Sequence, residues 1–330
     1  MVYFSISIMV QQMDEITENT EYRFERLQPK HYKDLVYISK SAFNIDPGIA
    51  YFINKNKTDA FGATNLGYIA YHKESNQPAA FYGVYAHPYV CNEKKYFVVQ
   101  SGDTMTHKKH TGKRLFTLLA KLTYKLSQEN GVSMVYGFPN DNSYPGFTKK
   151  LLWTHRDNIS LYKLKVTTLP LLKISKKVKF FNFLYQPYLK LINSFFKPNV
   201  DSFLNSAIEI DRGGIEHSSV FFSYKKFNGS FIIKVASTHI WIKPDGFLFI
   251  GDIEKTSKAE LNEIIKRIKL YAFLIGADVL QFGFSPNAYW NKQFTKKYSS
   301  EKGAAFGYLL FNNDFHIESF EYTQADLDTF

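Results

Sequence analysis

The sequence predicts an α/β protein, an α+β mixed sheet with flanking helices, built as two tandem units. Three observations carry this. Apolar residues switch repeatedly between strand-like alternation and helix-like spacing along the chain. One helical stripe, Leu115, Leu118, Leu119, Leu122 and Leu126, returns 146 residues later as Leu261, Ile264, Ile265, Ile268 and Ala272. The length, 330 residues, suits about two domains.

The first unit spans residues 1–168. Tyr22 to Gln28 reads as a strand and Pro29 to Ala42 as a helix. The stretch through Thr64 has room for one more short helix. Leu66 to Tyr71 and Ala79 to Ala86 are strands around the Asn76-Gln77-Pro78 turn, and Tyr96 to Ser101 is another strand. Thr111 to Gln128 is an amphipathic helix ended by Asn130-Gly131, residues that tolerate positive φ. Val132 to Phe138 is a strand, Asn140 to Leu152 a short helix, and Ile159 to Val166 the closing strand.

Residues 169–205 form a basic amphipathic connector. From Leu171 to Val200 there are six Lys and no acid. Phe180, Phe181, Leu184, Tyr188, Leu191, Ile192 and Phe195 make a helical stripe, with Pro187 placed in the first turn of a second helical piece. Two readings stand. The stripe packs between domains, or it lies on a membrane surface.

The second unit spans 206–330. Val220 to Tyr224, Ser230 to Ser237, Ile240 to Lys243 and Phe247 to Asp252 read as strands. Ser257-x-x-Glu260 is a capping box for the second copy of the helix. Gly137-Phe138-Pro139-Asn140 matches Gly283-Phe284-Ser285-Pro286-Asn287, and Gly102-Asp103 matches Gly251-Asp252.

Composition narrows the function. Hydrophobic residues make up 45% and charged residues 22%, as in a globular chain. No apolar run has the ~18 residues of a membrane span. Met1 to Val10 is apolar but lacks a basic flank and a small-residue cleavage site, which argues against a signal peptide. Cys91 is the sole cysteine, so no disulfide framework or multi-Cys zinc site exists. The expected setting is cytoplasmic. The net charge is +11, yet only six of 41 basic residues are Arg. Readers of phosphates and bases rely on Arg forks, which argues against nucleic acid as a partner. No helix pairs His with carboxylates in a metal-binding pattern, so no metal is expected.

The chemistry-bearing segment is Asp103 to Phe116, which leaves a strand and enters a helix. Helix N-termini present unpaired N–H groups and a positive dipole end, which favour phosphate. Gly112 allows close backbone approach. Lys108, Lys109, Lys113 and Arg114 add positive charge, aided by His107 or His110 when protonated. The alternative is a solvated basic loop with an ordinary cap.

The pattern Thr106-His107-x-x-x-x-Gly112-x-x-Leu115-Phe116, strand before and helix after, resembles motif A of the GCN5-related N-acetyltransferases. Asn140-x-x-Ser143 and the later Leu152-Trp153 resemble the family's next motif. The whole is similar to tandem acetyltransferases with a degenerate second copy. The resemblance implies two domains, each a splayed mixed sheet flanked by helices, and acyl transfer from acetyl-CoA or another acyl-CoA to an amine. Met105 and Thr106 match the strand end that lines up with pantetheine. Thr111, Gly112, Lys113, Arg114, Leu115 and Phe116 match the pyrophosphate loop, with Thr111 in place of a basic or Gln residue and Phe116 in place of a final Gly or Ala. A register from Lys109 keeps Lys109-x-x-Gly112. The family's acid is often a Tyr near position 147. Here Phe147 stands there and Tyr144 lies one turn earlier.

Acyl transfer needs a base for the amine and an acid for the leaving thiolate. His87 and His107 are candidate bases, with Glu93 or Asp103 acting through water as further options. Tyr144 is the candidate acid. The second unit, with a shorter loop and Asp252 and Glu254 near its helix start, is expected not to hold a pyrophosphate. By resemblance the acceptor is a small amine, such as a nucleotide-linked amino sugar destined for surface polysaccharide. The competing reading is a non-catalytic module that binds a partner or the inner membrane face through Leu171 to Val200.

Overall fold

The computed structural model describes residues 19–255, 261–312 and 314–330. Met1 to Val10 and the Ser257-x-x-Glu260 box lie outside them. Twelve strands form one sheet. They are β1 (Tyr22–Arg26), β2 (Leu66–His72), β3 (Pro78–Cys91), β4 (Lys94–Thr106), β5 (Met134–Gly137), β6 (Thr154–Lys165), β7 (Gly214–Ile215), β8 (Phe231–Val235), β9 (Thr238–Asp245), β10 (Phe247–Ile253), β11 (Val279–Phe284) and β12 (Glu301–Leu310). The helices are α1 (Tyr32–Phe43), α2 (Ile49–Lys55), α3 (Leu115–Glu129), α4 (Leu171–Lys177), α5 (Lys179–Phe195), α6 (Ser219–Lys225), α7 (Leu261–Leu274) and α8 (Tyr289–Phe294).

The strand order is β1-β2-β3-β4-β5-β12-β6-β11-β10-β9-β8, with β7 against β3. Among the described strands only β4–β5 and β10–β11 pair in parallel. Read inward from either edge, the sheet runs through the same series. β3-β4-β5-β12 answers β9-β10-β11-β6, and β6 and β12 meet antiparallel at the centre. The closing strand of each half therefore borders the parallel pair of the other.

One face of the sheet is covered by α3 over the first half and by α5, α7 and α8 over the second. The stripe Leu115, Leu119, Leu126 sits there with Tyr82, Val99 and Val135. The other face carries α1 against Phe81 and Met105. It also carries α6 and the segment from Phe315 to Phe330, which join Tyr89, Tyr136 and Trp241 in a core shared by both halves.

The structure corrects several expectations. Val220 to Tyr224 is helix α6, not a strand. The aromatic run has strand propensity, but Ser218 caps the segment by accepting from the Phe221 N–H at 3.3 Å, and Phe221 and Phe222 are buried around Trp241. Tertiary packing outweighs propensity here. Asn140 to Leu152 is a turn followed by a single π-turn, Gly146–Lys150. Pro187 lies inside α5, and the helical break falls at Val178. α3 begins at Leu115, four residues late, because Gly112 and Arg114 hold φ of 79° and 60°. Helix α8 and strand β12 have no counterpart in the sequence reading.

Candidate functional site

The site begins with a bulge. β4 carries an extra residue between Gly102 and Met105 against Phe81 and Gly83 of β3, and Asp103 takes a φ of 51°. A bulge bends its strand and strengthens the twist. β4 pairs with β5 only from Val98 to Gln100. From Ser101 to Thr106 it keeps β3 on one side and has no strand on the other among the described residues. β5 ends at Gly137, which leaves the backbone edge of β4 beyond Gln100 open among the described residues. Met105 is buried against α1 and its main chain pairs with Phe81 of β3, while its neighbour Thr106 turns N–H and C=O to the unpaired side. The second half repeats the device, with a bulge at Gly251 of β10.

From the open end of β4 the chain passes into the loop before α3. His107 organises it. Its ring stacks on Tyr37 with centroids 5.3 Å apart, and its Nδ1 accepts from the Lys109 N–H at 3.2 Å. The Lys108 N–H donates to Ser41 Oγ at 3.1 Å, and His110 Nδ1 pairs with Tyr22 Oη at 2.9 Å. Burial lowers the pKa of both His107 and His110, so the loop's charge comes from its lysines and Arg114. Lys113 pairs with Glu21 at 3.2 Å.

The N–H groups of Gly112, Lys113, Leu115 and Phe116 have no acceptor among the described residues. Arg114 is the helix N-cap in left-handed conformation and offers no side-chain cap. A Cβ on Gly112 would meet nothing within 4 Å. The Phe116 ring points inward onto Tyr82 and Phe147, so its bulk does not cover the N–H groups. These are the elements of an anion site at a helix start.

On the side of the opening covered by α3, the Tyr82 hydroxyl bonds both Ser101 Oγ and Tyr124 Oη at 2.8 Å, and the Trp153 indole donates to Tyr124 Oη at 2.9 Å. The turn after β5 lies alongside. Asn140 Oδ1 accepts from the N–H groups of Asn142 and Ser143, and Gly146 packs under Phe116. Tyr144 is half-buried with its ring edge-on to His155, centroids 5.7 Å apart.

The opposite side of the bulge holds charge. Buried Lys55 lies 2.9 Å from Asp103 and 3.7 Å from Asp328. Tyr85 Oη donates to Asp103 at 2.6 Å, and Tyr51 Oη donates to it at 3.3 Å. Burial alone would depress the Lys55 ammonium, but Asp103, Tyr51 and Asp328 outweigh it and hold its pKa well above the ordinary value. Deeper in, Lys225 donates to the Leu327 carbonyl at 2.7 Å, and burial pulls its pKa down to about 7. His217 sits between Asp326 at 2.9 Å and Asp252 at 3.3 Å. Burial opposes its charge, but the two carboxylates win and raise it to about 9.

No family model matches the chain, and no curated protein matches its sequence. Solved structures do match its fold. A GCN5-related N-acetyltransferase from Kribbella flavida superposes with a TM-score of 0.55 at 10% identity, over 88% of this chain and 71% of that one. A putative acetyltransferase from Pyrococcus horikoshii gives 0.54 at 12%, over 94% and 97%. A probable N-acyltransferase of Enterococcus faecalis, a conserved protein of unknown function, gives 0.57 at 13%, over 88% and 72%. The fold is that of the GCN5-related N-acetyltransferases. At these identities the likeness speaks for the acetyltransferase fold alone.

Within this acetyltransferase fold, Met105, Thr106 and the loop Thr111–Phe116 occupy one open strand end and helix start. Phe116 touches the π-turn that follows Asn140, Ser143 and Tyr144. His87 is not part of this group. It lies buried on β3, with Nδ1 2.7 Å from Tyr136 Oη and its ring against Phe221. Burial drives its pKa well below the ordinary value. Asp252 and Glu254 are engaged elsewhere. Asp252 is fully buried and accepts from the Ser206 N–H at 2.9 Å, while Glu254 holds His239 at 2.7 Å. Sequence reasoning missed Lys55, Tyr51, Tyr85 and Asp328. Only Asp103 had a signal, its place in the repeated Gly-Asp pair.

Proposed function

We propose that the chain is an N-acyltransferase that uses an acyl-CoA, most simply acetyl-CoA, and a small amine such as an amino sugar. The observation that supports this best is the coincidence of the open β4 edge with the unpaired N–H groups at the start of α3. A bound acyl-CoA supplies an activated thioester carbonyl. The residues present fit its two binding needs. Gly112, Lys113, Leu115 and Phe116 offer N–H groups to a pyrophosphate, with Lys108, Lys109 and Arg114 adding charge. The main chain of Ser101 to Thr106 offers a strand edge to the pantetheine amides, as β-augmentation does for a peptide.

Asp103, at the bulge, is the proposed acceptor of the amine proton, in place of the enclosed His87. Tyr144, half-buried in the turn after β5 with its ring against His155, is the proposed proton donor to the departing sulfur. The exchange balances. One C–N bond forms, one C–S bond breaks, and one proton moves from nitrogen to sulfur by way of these two groups. The two halves are treated as a working copy, residues 1–168, and a degenerate copy, 206–330.

The test is thiol release from acetyl-CoA with a panel of amino sugars, nucleotide-linked amino sugars and simple amines. Amine-dependent thiol release that falls in Asp103→Asn and Tyr144→Phe supports the reading. Absence of amine-dependent release across the panel, with coenzyme A bound, counts against the acceptor class. Absence of coenzyme A binding overturns the whole assignment.

A further inference from the structure

The outer face of α5 is exposed among the described residues. Phe181, Tyr185, Leu189 and Ile192 turn inward to the second-half core, and Tyr185 Oη donates to the Ile275 carbonyl at 2.6 Å. Helical spacing therefore sends Phe180, Phe183, Leu184, Leu191 and Phe195 outward along one side. Phe180, Phe183 and Phe195 are 74–75% exposed. The side chain of Tyr188 bridges to the Leu274 carbonyl at the end of α7, whose Leu270 and Phe273 are also exposed. An apolar strip of this kind on two neighbouring helices is unusual for a monomer's surface.

Charge selects the occupant. Residues 171–200 hold six Lys and no acid. Lys173 and Lys176 pair with Asp278 and Asp245. No carboxylate lies in ion-pair range of Lys177, Lys179, Lys190 or Lys197 among the described residues. Lys179 and Lys190, both exposed, fall by helical spacing on the edge of the apolar side. A second copy of the same face would bring lysines against lysines. An anionic bilayer answers both features, with acyl chains for the aromatic side chains and phosphate headgroups for the lysines. No described helix is long and apolar enough to cross a membrane, so contact is along the helix face.

We propose that α4, α5 and the exposed edge of α7 form a docking surface for an anionic phospholipid bilayer. This does not depend on acyl transfer. The experiment is co-sedimentation of the full chain with vesicles of phosphatidylcholine mixed with phosphatidylglycerol, against phosphatidylcholine alone. The chain should bind the anionic vesicles and release at high salt. Phe180→Ser, Phe183→Ser and Phe195→Ser together should abolish binding while leaving the melting temperature unchanged, since these side chains are exposed. Lys179→Glu with Lys190→Glu should weaken it by about tenfold or more, at roughly 1 kcal/mol per lysine removed. Failure to bind anionic vesicles overturns the proposal. So does undiminished binding by the triple Ser variant, or a wild-type dimer that this variant turns into monomer.

Discussion

Gly112 separates charge from conformation at the proposed pyrophosphate site. Its φ is 79°, and no heavy atom beyond its chain neighbours lies within 4 Å of where a Cβ would stand. Asn and Asp both tolerate this left-handed geometry and have nearly the same shape, so their backbone cost, at most ~1–2 kcal/mol, is shared. They differ by one negative charge. An Asp carboxylate about 6 Å from a bound phosphate charge costs roughly 0.7 kcal/mol in bulk water and about 3 kcal/mol at an effective dielectric of ~20. That is a weakening of roughly threefold to 150-fold. Calorimetric titration of wild type, Gly112→Asn and Gly112→Asp with coenzyme A reads it directly. Gly112→Asn should stay close to wild type. Gly112→Asp should be weaker, and the gap should narrow as salt rises. Equal affinities for the two variants, with equal melting temperatures, would refute the loop assignment.

Other consequences concern the buried charges. Lys55→Met strands Asp103 and Asp328 without their cation and should cost about 3–5 kcal/mol. Adding Asp103→Asn and Asp328→Asn should restore most of the melting temperature, and no recovery would contradict the pairing. His217 and Lys225 titrate with opposite sign. His217 is raised from 6.5 to about 9, so the stability it contributes is complete below pH 6.5 and is lost as pH rises through about 9. Lys225 is lowered from 10.5 to about 7, so its burial cost is removed as pH rises from about 7 to 10.5. Denaturant melts between these limits should show His217→Asn gaining stability with pH and Lys225→Met losing it. Parallel pH profiles in the two variants would contradict these protonation states.

Much of the fold was legible because periodicity is local. The α3 and α7 stripes, the Asn76 turn and the repeated Gly-Asp pair can all be read from neighbouring residues. The loop before α3 was legible for the same reason, since Gly112 and the helix start are adjacent in sequence. What escaped is long-range. His87 looked like a strand-end base, yet α6 covers it, and α6 itself was hidden by an aromatic run that reads as strand. The exchange of β6 and β12 between halves has no local signature. Lys55, Asp103 and Asp328 come from three distant segments, and only folding brings them within reach of one another. The start of α3 was misplaced because positive φ at Arg114 is a demand of the loop, not a preference of arginine.

We propose that one half of this chain, and not the other, holds an acyl-CoA. Stoichiometry from calorimetric titration with acetyl-CoA tests it most directly. The open β4 edge and the loop before α3 predict one site per chain, weakened in Gly112→Asp and kept in Gly112→Asn. Two sites, or no binding at millimolar ligand, would contradict it.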